Sequence, residues 1–170
     1  TQTMTKKTMK HSIERYAIHG EINEELAAHF AAFYQSCAKK GTTDISLEIN
    51  TNGGDVGSMN SIIGYITRDI TVHGFVTGYA YSAGVFILRA CDVAYAALSA
   101  DLMFHDDIVS LEGSLEGVRQ DTAHMRRRSD REIKRFAKKT AHSYKWWKKN
   151  AYFSPLNQTL MTPKQALRLG

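Results

Sequence analysis

The sequence predicts an α/β fold, a parallel or mixed sheet covered by helices, and three observations carry that expectation. Short apolar runs of strand character recur through the first two thirds of the chain: "RYAIHGEI" (15–22), "ISLEI" (45–49), "TVHGFV" (71–76), "VAYA" (93–96) and "LMFH" (102–105). Stretches with helical apolar spacing lie between several of them, and Gly- or Asn-bearing turn material separates strand from helix. Strands that alternate with helices of roughly ten residues are accommodated when the strands lie side by side and the helices cover the sheet.

The elements follow in order. After the strand that ends near Gly20, Asn23 is a helix cap, Glu24 and Glu25 favour the positive helix end, and Leu26, Phe30, Phe33 and Cys37 form the apolar stripe. Lys39, Lys40 and Gly41 are stop signals. "NTNGGD" (50–55) reads as a turn after the second strand, and Val56, Met59, Ile63 and Ile66 then have helical spacing. "SAGVFILRAC" (82–91) is a further helix. Beyond residue 112 the chain becomes a long, charged, helical segment poor in large apolar positions, which suits an arm that packs on another chain or faces solvent. Trp146, Trp147, Tyr152 and Phe153 bring that arm back to a core or an interface. In "TPKQALRLG" (162–170), Thr162 caps, Pro163 takes the first helical position and Gln165 completes a capping box before a Gly stop.

Composition narrows the function. A chain of 170 residues with 43% apolar residues suits one soluble domain, with residues 1–14 a flexible N-terminal segment and about 108–150 the arm. No apolar run is long enough to span a bilayer and the polar start has no h-region, so the expected location is the cytoplasm. The opening Thr and the helix end at the last residue predict a trimmed piece of a longer product. Cys37 and Cys91 are too few for a disulfide framework and have no zinc-ligand spacing; both are expected to be buried, reduced core residues. From Arg119 to Lys149 twelve Lys and Arg stand against Asp121, Asp130 and Glu132. No nucleic-acid motif accompanies this basic block, and a solvated helix face is the commoner meaning.

The chemistry centres on "GYAYSAGVFIL" (78–88). Ser82 lies where a strand hands over to a helix, at the carboxyl edge where open α/β sheets hold reactive groups. A serine there is either an ordinary helix cap or a nucleophile in a relative of the G-x-S-x-G turn, with the amide of Ala83 beside it as an oxyanion donor. The paired glycines of "NTNGGDV" either build a tight turn or bring backbone close to a ligand, in which case Gly54 is a second donor. Of seven histidines, His105 ends a strand on the same sheet edge as Ser82 and is the candidate base. His19 and His73 read as structural, and His11, His29, His124 and His142 as tail or helix-surface residues.

The order "INTNGGDV", helix, strand, "GYAYSAG", helix, "LMFH" resembles the proteolytic subunit of the Clp protease, with "RYAIHGEI" and "LMTPKQALRLG" extending the resemblance over most of the chain. The resemblance implies a ClpP/crotonase-like spiral of β-β-α units with a helical handle arm. It implies Ser82 as nucleophile, His105 as base, and the amides of Gly54 and Ala83 as oxyanion hole, without metal or cofactor. It also implies heptameric rings stacked as a tetradecamer, an AAA+ unfoldase as partner and unfolded polypeptides as substrates. The sequence departs from the family in three places. The position of the third triad residue falls at Gln158, with Asn157 beside it, and Asn157 is preferred over Gln158. Asp106 and Asp107 follow His105 where the family has Gln-Pro, and "IVSLEGSLEG" (108–117) replaces a Gly-rich handle strand. Two rival readings are a catalytically weak or inactive ring component and a crotonase-like acyl-CoA enzyme, the latter having no use for the Ser and His pair.

Overall fold

The computed structural model describes residues 12–105, 108–150 and 159–170. Six strands form one sheet: β1 (Ile13–Ile22), β2 (Asp44–Gly54), β3 (Thr71–Tyr81), β4 (Val93–Ala96), β5 (Asp101–Phe104) and β6 (Thr159–Met161). Six helices connect or flank them: α1 (Glu24–Lys40), α2 (Val56–Ile66), α3 (Ala83–Ala90), α4 (Leu115–Ala137), α5 (Tyr144–Asn150) and α6 (Pro163–Leu169). Residues Ile13 and Glu14 belong to β1, so the strand begins inside the segment that the sequence assigns to a flexible tail.

The sheet order is β1-β2-β3-β5-β6, parallel except for the antiparallel β5–β6 pair. One edge of β3 is divided between two partners. His73–Val76 pair with Val93–Ala96 of β4, and Tyr79–Tyr81 pair with Asp101–Met103 of β5. This division leaves the β5 branch, and not β4, beside the last residues of β3.

Local signals explain the helices. Asn23 Oδ1 accepts the Leu26 N–H at 2.9 Å, and Gly41 closes α1 at φ 71°, a left-handed conformation that glycine adopts without a Cβ penalty. The buried stripe of α1 is Ala27, Phe30, Tyr34 and Cys37, one residue round from the expected one at two positions, with Leu26 and Phe33 half-buried. The hydroxyl of buried Tyr34 is satisfied there: it accepts the Ile70 N–H at 3.2 Å. On β2 every second residue from Ile45 to Gly53 is buried, the alternation of a strand with one face in the core. In α6 both halves of the capping box form, Gln165 N–H to Thr162 Oγ1 at 3.3 Å and Thr162 N–H to Gln165 Oε1 at 2.9 Å.

The arm leaves and returns. No residue of α4 before Glu132 is buried, whereas Ile133, Phe136 and Ala137 are. Trp147 of α5 is 1% exposed and meets Phe104 and Phe136 edge-on at 5.5 and 5.0 Å between ring centres. The second part of the segment 108–150 thus packs into the core, through Ile133, Phe136 and Trp147. Lys139 fixes that return by donating to the Ala90 carbonyl at 2.6 Å, at the carboxyl end of α3. Both Cys37 and Cys91 are buried and unbridged, and burial pushes the Cys91 thiol up to about 12.

Candidate active site

Strand β3 ends at Tyr81 and α3 begins at Ala83, so Ser82 alone makes the reversal. It does so at φ 50°, ψ −119°, the one positive φ of a non-glycine residue among the described residues. Such a conformation costs roughly 1–3 kcal/mol and persists only where the surroundings impose it. Here the Ser82 N–H donates to the Met103 carbonyl at 2.7 Å, which carries the β3–β5 ladder one residue past the strand, and the Ser82 carbonyl accepts the Val85 N–H at 3.1 Å. Although Ser82 occupies the cap position of α3, its side chain makes no capping hydrogen bond. The hydroxyl is therefore not employed in starting the helix.

His105 is the residue after β5, two beyond the Met103 that binds the Ser82 N–H. The topology thus puts Ser82 and His105 at the carboxyl ends of neighbouring parallel strands, and both are half-buried, within reach of solvent. The other histidines have separate places. His19 Nε2 lies 3.1 Å from Glu48 Oε1, His73 Nε2 lies 3.0 Å from Asp44 Oδ1, and the ring of His142 stacks on Trp146 at 3.8 Å. His29 and His124 are exposed.

The glycine pair is strand, not turn: β2 continues through Thr51 to Gly54, where a tight turn was expected. The ladder tolerates this because the register shifts, once between His19 and Glu21 on β1 and once between Ile49 and Thr51 on β2. Gly53 and Gly54 have φ of 96° and 149°. A Cβ on Gly53 would lie 2.7 Å from the Cβ of Ser82 and 2.8 Å from the Tyr81 carbonyl oxygen. On Gly54 it would lie 2.2 Å from the Ile22 carbonyl oxygen. Close approach therefore demands both glycines, and Gly53 is the one pressed against the serine. The Gly53 N–H is already spent on Thr51 Oγ1 at 3.0 Å, which leaves Gly54 as the candidate donor of this loop. Asp55 follows at the start of α2, accepting from the Ser58 N–H at 2.6 Å and the Ser58 hydroxyl at 2.8 Å. The Ser58 backbone bond, foremost, holds its carboxyl below the usual value.

Ala83 is buried and opens α3, where the first backbone amides of a helix have no partner within the helix. Asn157, Gln158, Asp106 and Asp107 lie outside the described residues. Among the described residues no group of three or more His, Cys, Asp or Glu side chains is placed to hold a metal ion. An apolar cavity of about 490 Å³ is lined by Val85, Leu88, Leu102, Trp147 and Leu167 among others, but neither Ser82 nor His105 contributes to it. Sequence reasoning missed two parts of this corner. Thr51 is wholly buried beside the glycines, and β6 lies antiparallel to β5 just before α6.

A strained serine between a parallel strand and a helix, flanked by a glycine pair on one neighbouring strand and a histidine past the end of the other, is the arrangement that the sequence resemblance implies. The family model of the Clp protease matches residues 2–170. The chain belongs to the Clp protease family. The mixed α/β architecture agrees with the fold of that family, and a comparison with curated proteins gives no match. No helix among the described residues is long and apolar enough to cross a membrane.

Proposed function

We propose that the chain is the proteolytic subunit of a Clp-like compartmental protease, a serine peptidase acting on unfolded polypeptides. The observation that carries this reading is Ser82: a non-glycine residue held at φ 50° whose hydroxyl does not cap the helix that it begins. Ser82 Oγ attacks the peptide carbonyl carbon as His105 takes its proton, and the amide N–H groups of Gly54 and Ala83 hold the negative oxygen of the tetrahedral intermediate. His105 returns the proton to the leaving amine, the C–N bond breaks, and water then releases the acyl group from Ser82 by the same steps. Asn157 accepts the other imidazole N–H, with Gln158 as the alternative. An amide can orient the ring as it does in Cys-His-Asn proteases, although replacing the acid in a serine protease costs up to about 10⁴ in turnover. This chemistry needs no metal or cofactor.

By family likeness the subunits assemble into heptameric rings stacked as a tetradecamer and receive chains from an AAA+ unfoldase, which consumes the ATP. A fluorophosphonate probe labels Ser82 in the assembled protein, and Ser82→Ala loses both labelling and peptide hydrolysis. Equal hydrolysis by the wild type and Ser82→Ala would instead leave the second reading, a ring component without activity, which the amide side chains at 157 and 158 favour.

A further inference from the structure

Thr51 is 0% exposed, yet a valine would fill the same volume. Its hydroxyl stands where both ladders slip. The register shifts on either side of it take backbone groups out of the regular pairing, and buried backbone groups need partners. Thr51 Oγ1 supplies two: it donates to the carbonyl of Gly20 on β1 and accepts the N–H of Gly53, 3.0 Å away. Its methyl group faces the other way. Thr51 Cγ2 lies 2.5 Å from where a Cβ on Gly84 would stand, in the first turn of the helix that Ser82 begins. One buried side chain thus touches the end of β1, the glycine loop and the start of α3.

We infer that Thr51 is a positioning residue, whose buried hydroxyl fixes the Gly53–Gly54 loop beside the first turn of α3 and so sets the gap between the two oxyanion donors. The inference rests on the peptidase reading given above. By holding the Gly53 N–H, the hydroxyl keeps that amide out of the site and turns the next peptide group, that of Gly54, towards it. The contribution belongs to the tetrahedral intermediate and not to the bound substrate, because only the intermediate carries a full charge on the oxygen.

The test compares the assembled full chain with Thr51→Val and Thr51→Ser, using a fluorogenic peptide and a peptide boronic acid that forms a tetrahedral adduct with Ser82. In Thr51→Val, kcat and boronate affinity each fall about tenfold while KM stays within twofold, as expected when a donor is displaced without being removed. Thr51→Ser keeps the hydroxyl and stays within threefold of the wild type in boronate affinity. Wild-type kcat and boronate affinity in a folded Thr51→Val protein overturn the inference. If Thr51→Val does not fold, a tenfold loss of boronate affinity in Thr51→Ser overturns it instead. A wild type that neither hydrolyses the peptide nor is labelled at Ser82 removes the peptidase reading and this inference with it, whereas an active wild type with an indifferent Thr51→Val removes the inference alone.

Discussion

The corner where β2, β3 and α3 meet and the outer length of α4 are fixed by different kinds of contact. In the corner, bonds join residues far apart in sequence: Thr51 reaches Gly20, Ser82 reaches Met103, and Gly53 packs against Ser82. At the start of α4 the bonds join near neighbours along the helix. Glu116 holds Arg119 at 2.8 Å and Gln120 at 2.9 Å, Thr122 bonds back to the Val118 carbonyl, and Leu115 is 89% exposed. Local pairs make a helix but do not place it, because their partners move with it. Long-range contacts set position to fractions of an ångström, which is what a reacting group needs and an arm does not.

The sharpest way to break the contrast is at the boundary, where the arm rejoins the core. Trp147→Ala removes a ring packed on Phe104 and Phe136 and the indole N–H bond to Thr140 Oγ1 at 2.7 Å. It is expected to lower unfolding stability by about 4 kcal/mol in urea denaturation, the usual cost of a large aromatic cavity. Gly84→Ala attacks the corner directly, driving a Cβ to 2.5 Å from Thr51 Cγ2. A loss of about 2 kcal/mol is expected, and Thr51→Ser in the same chain restores much of it by removing the opposing methyl. Simple addition of the two single effects in that double variant would show that the contact does not couple the two elements.

Titration gives a third measurement. The Cys91 thiol is pushed by burial from its ordinary 9.0 up to about 12, so the neutral form is favoured in the fold. Its contribution is fully present below pH 9 and is lost as the pH climbs towards 12, where the unfolded thiol ionises and the folded one resists. Stability measured across that window falls more steeply in the wild type than in Cys91→Ala. Asp55 has the opposite sign: its lowered value means that stability present above the ordinary 3.8 is lost as the pH falls further.

Smaller effects complete the series. On the proposed peptidase reading Ser82→Gly is expected to abolish hydrolysis while raising stability by about 1 kcal/mol, since glycine accepts a positive φ without strain. On the arm, Glu116→Ala leaves Tm unchanged, because its partners are exposed and compete with water. A clear drop in Tm would mean that outer α4 is fixed more firmly than its local bonds allow.

Much of this contrast was legible in the sequence. The Asn23 cap, the Gly41 stop and the Thr162–Gln165 box rest on local chemistry, so they are read from neighbours along the chain. The low apolar content of 112–131 announces an exposed helix in the same way. Ser82 and His105 are legible as candidates because both stand at strand ends. What the sequence does not reveal is long-range. "NTNGG" has turn composition, and only the slip of two ladders makes it strand; Thr51 reads as one more turn residue until Gly20 and Gly84 are brought to it. β6 has three residues and takes its strand character from pairing with β5.

On the proposed peptidase reading, the backbone angle at Ser82 also limits which atoms can do the attacking. A β-branched side chain is strongly disfavoured at positive φ, so threonine, the nearest alcohol, is a poor stand-in there, whereas cysteine has the same unbranched shape and fits. Exchange of the attacking element from oxygen to sulfur is thus sterically open at this corner, and exchange of one alcohol for the other is closed.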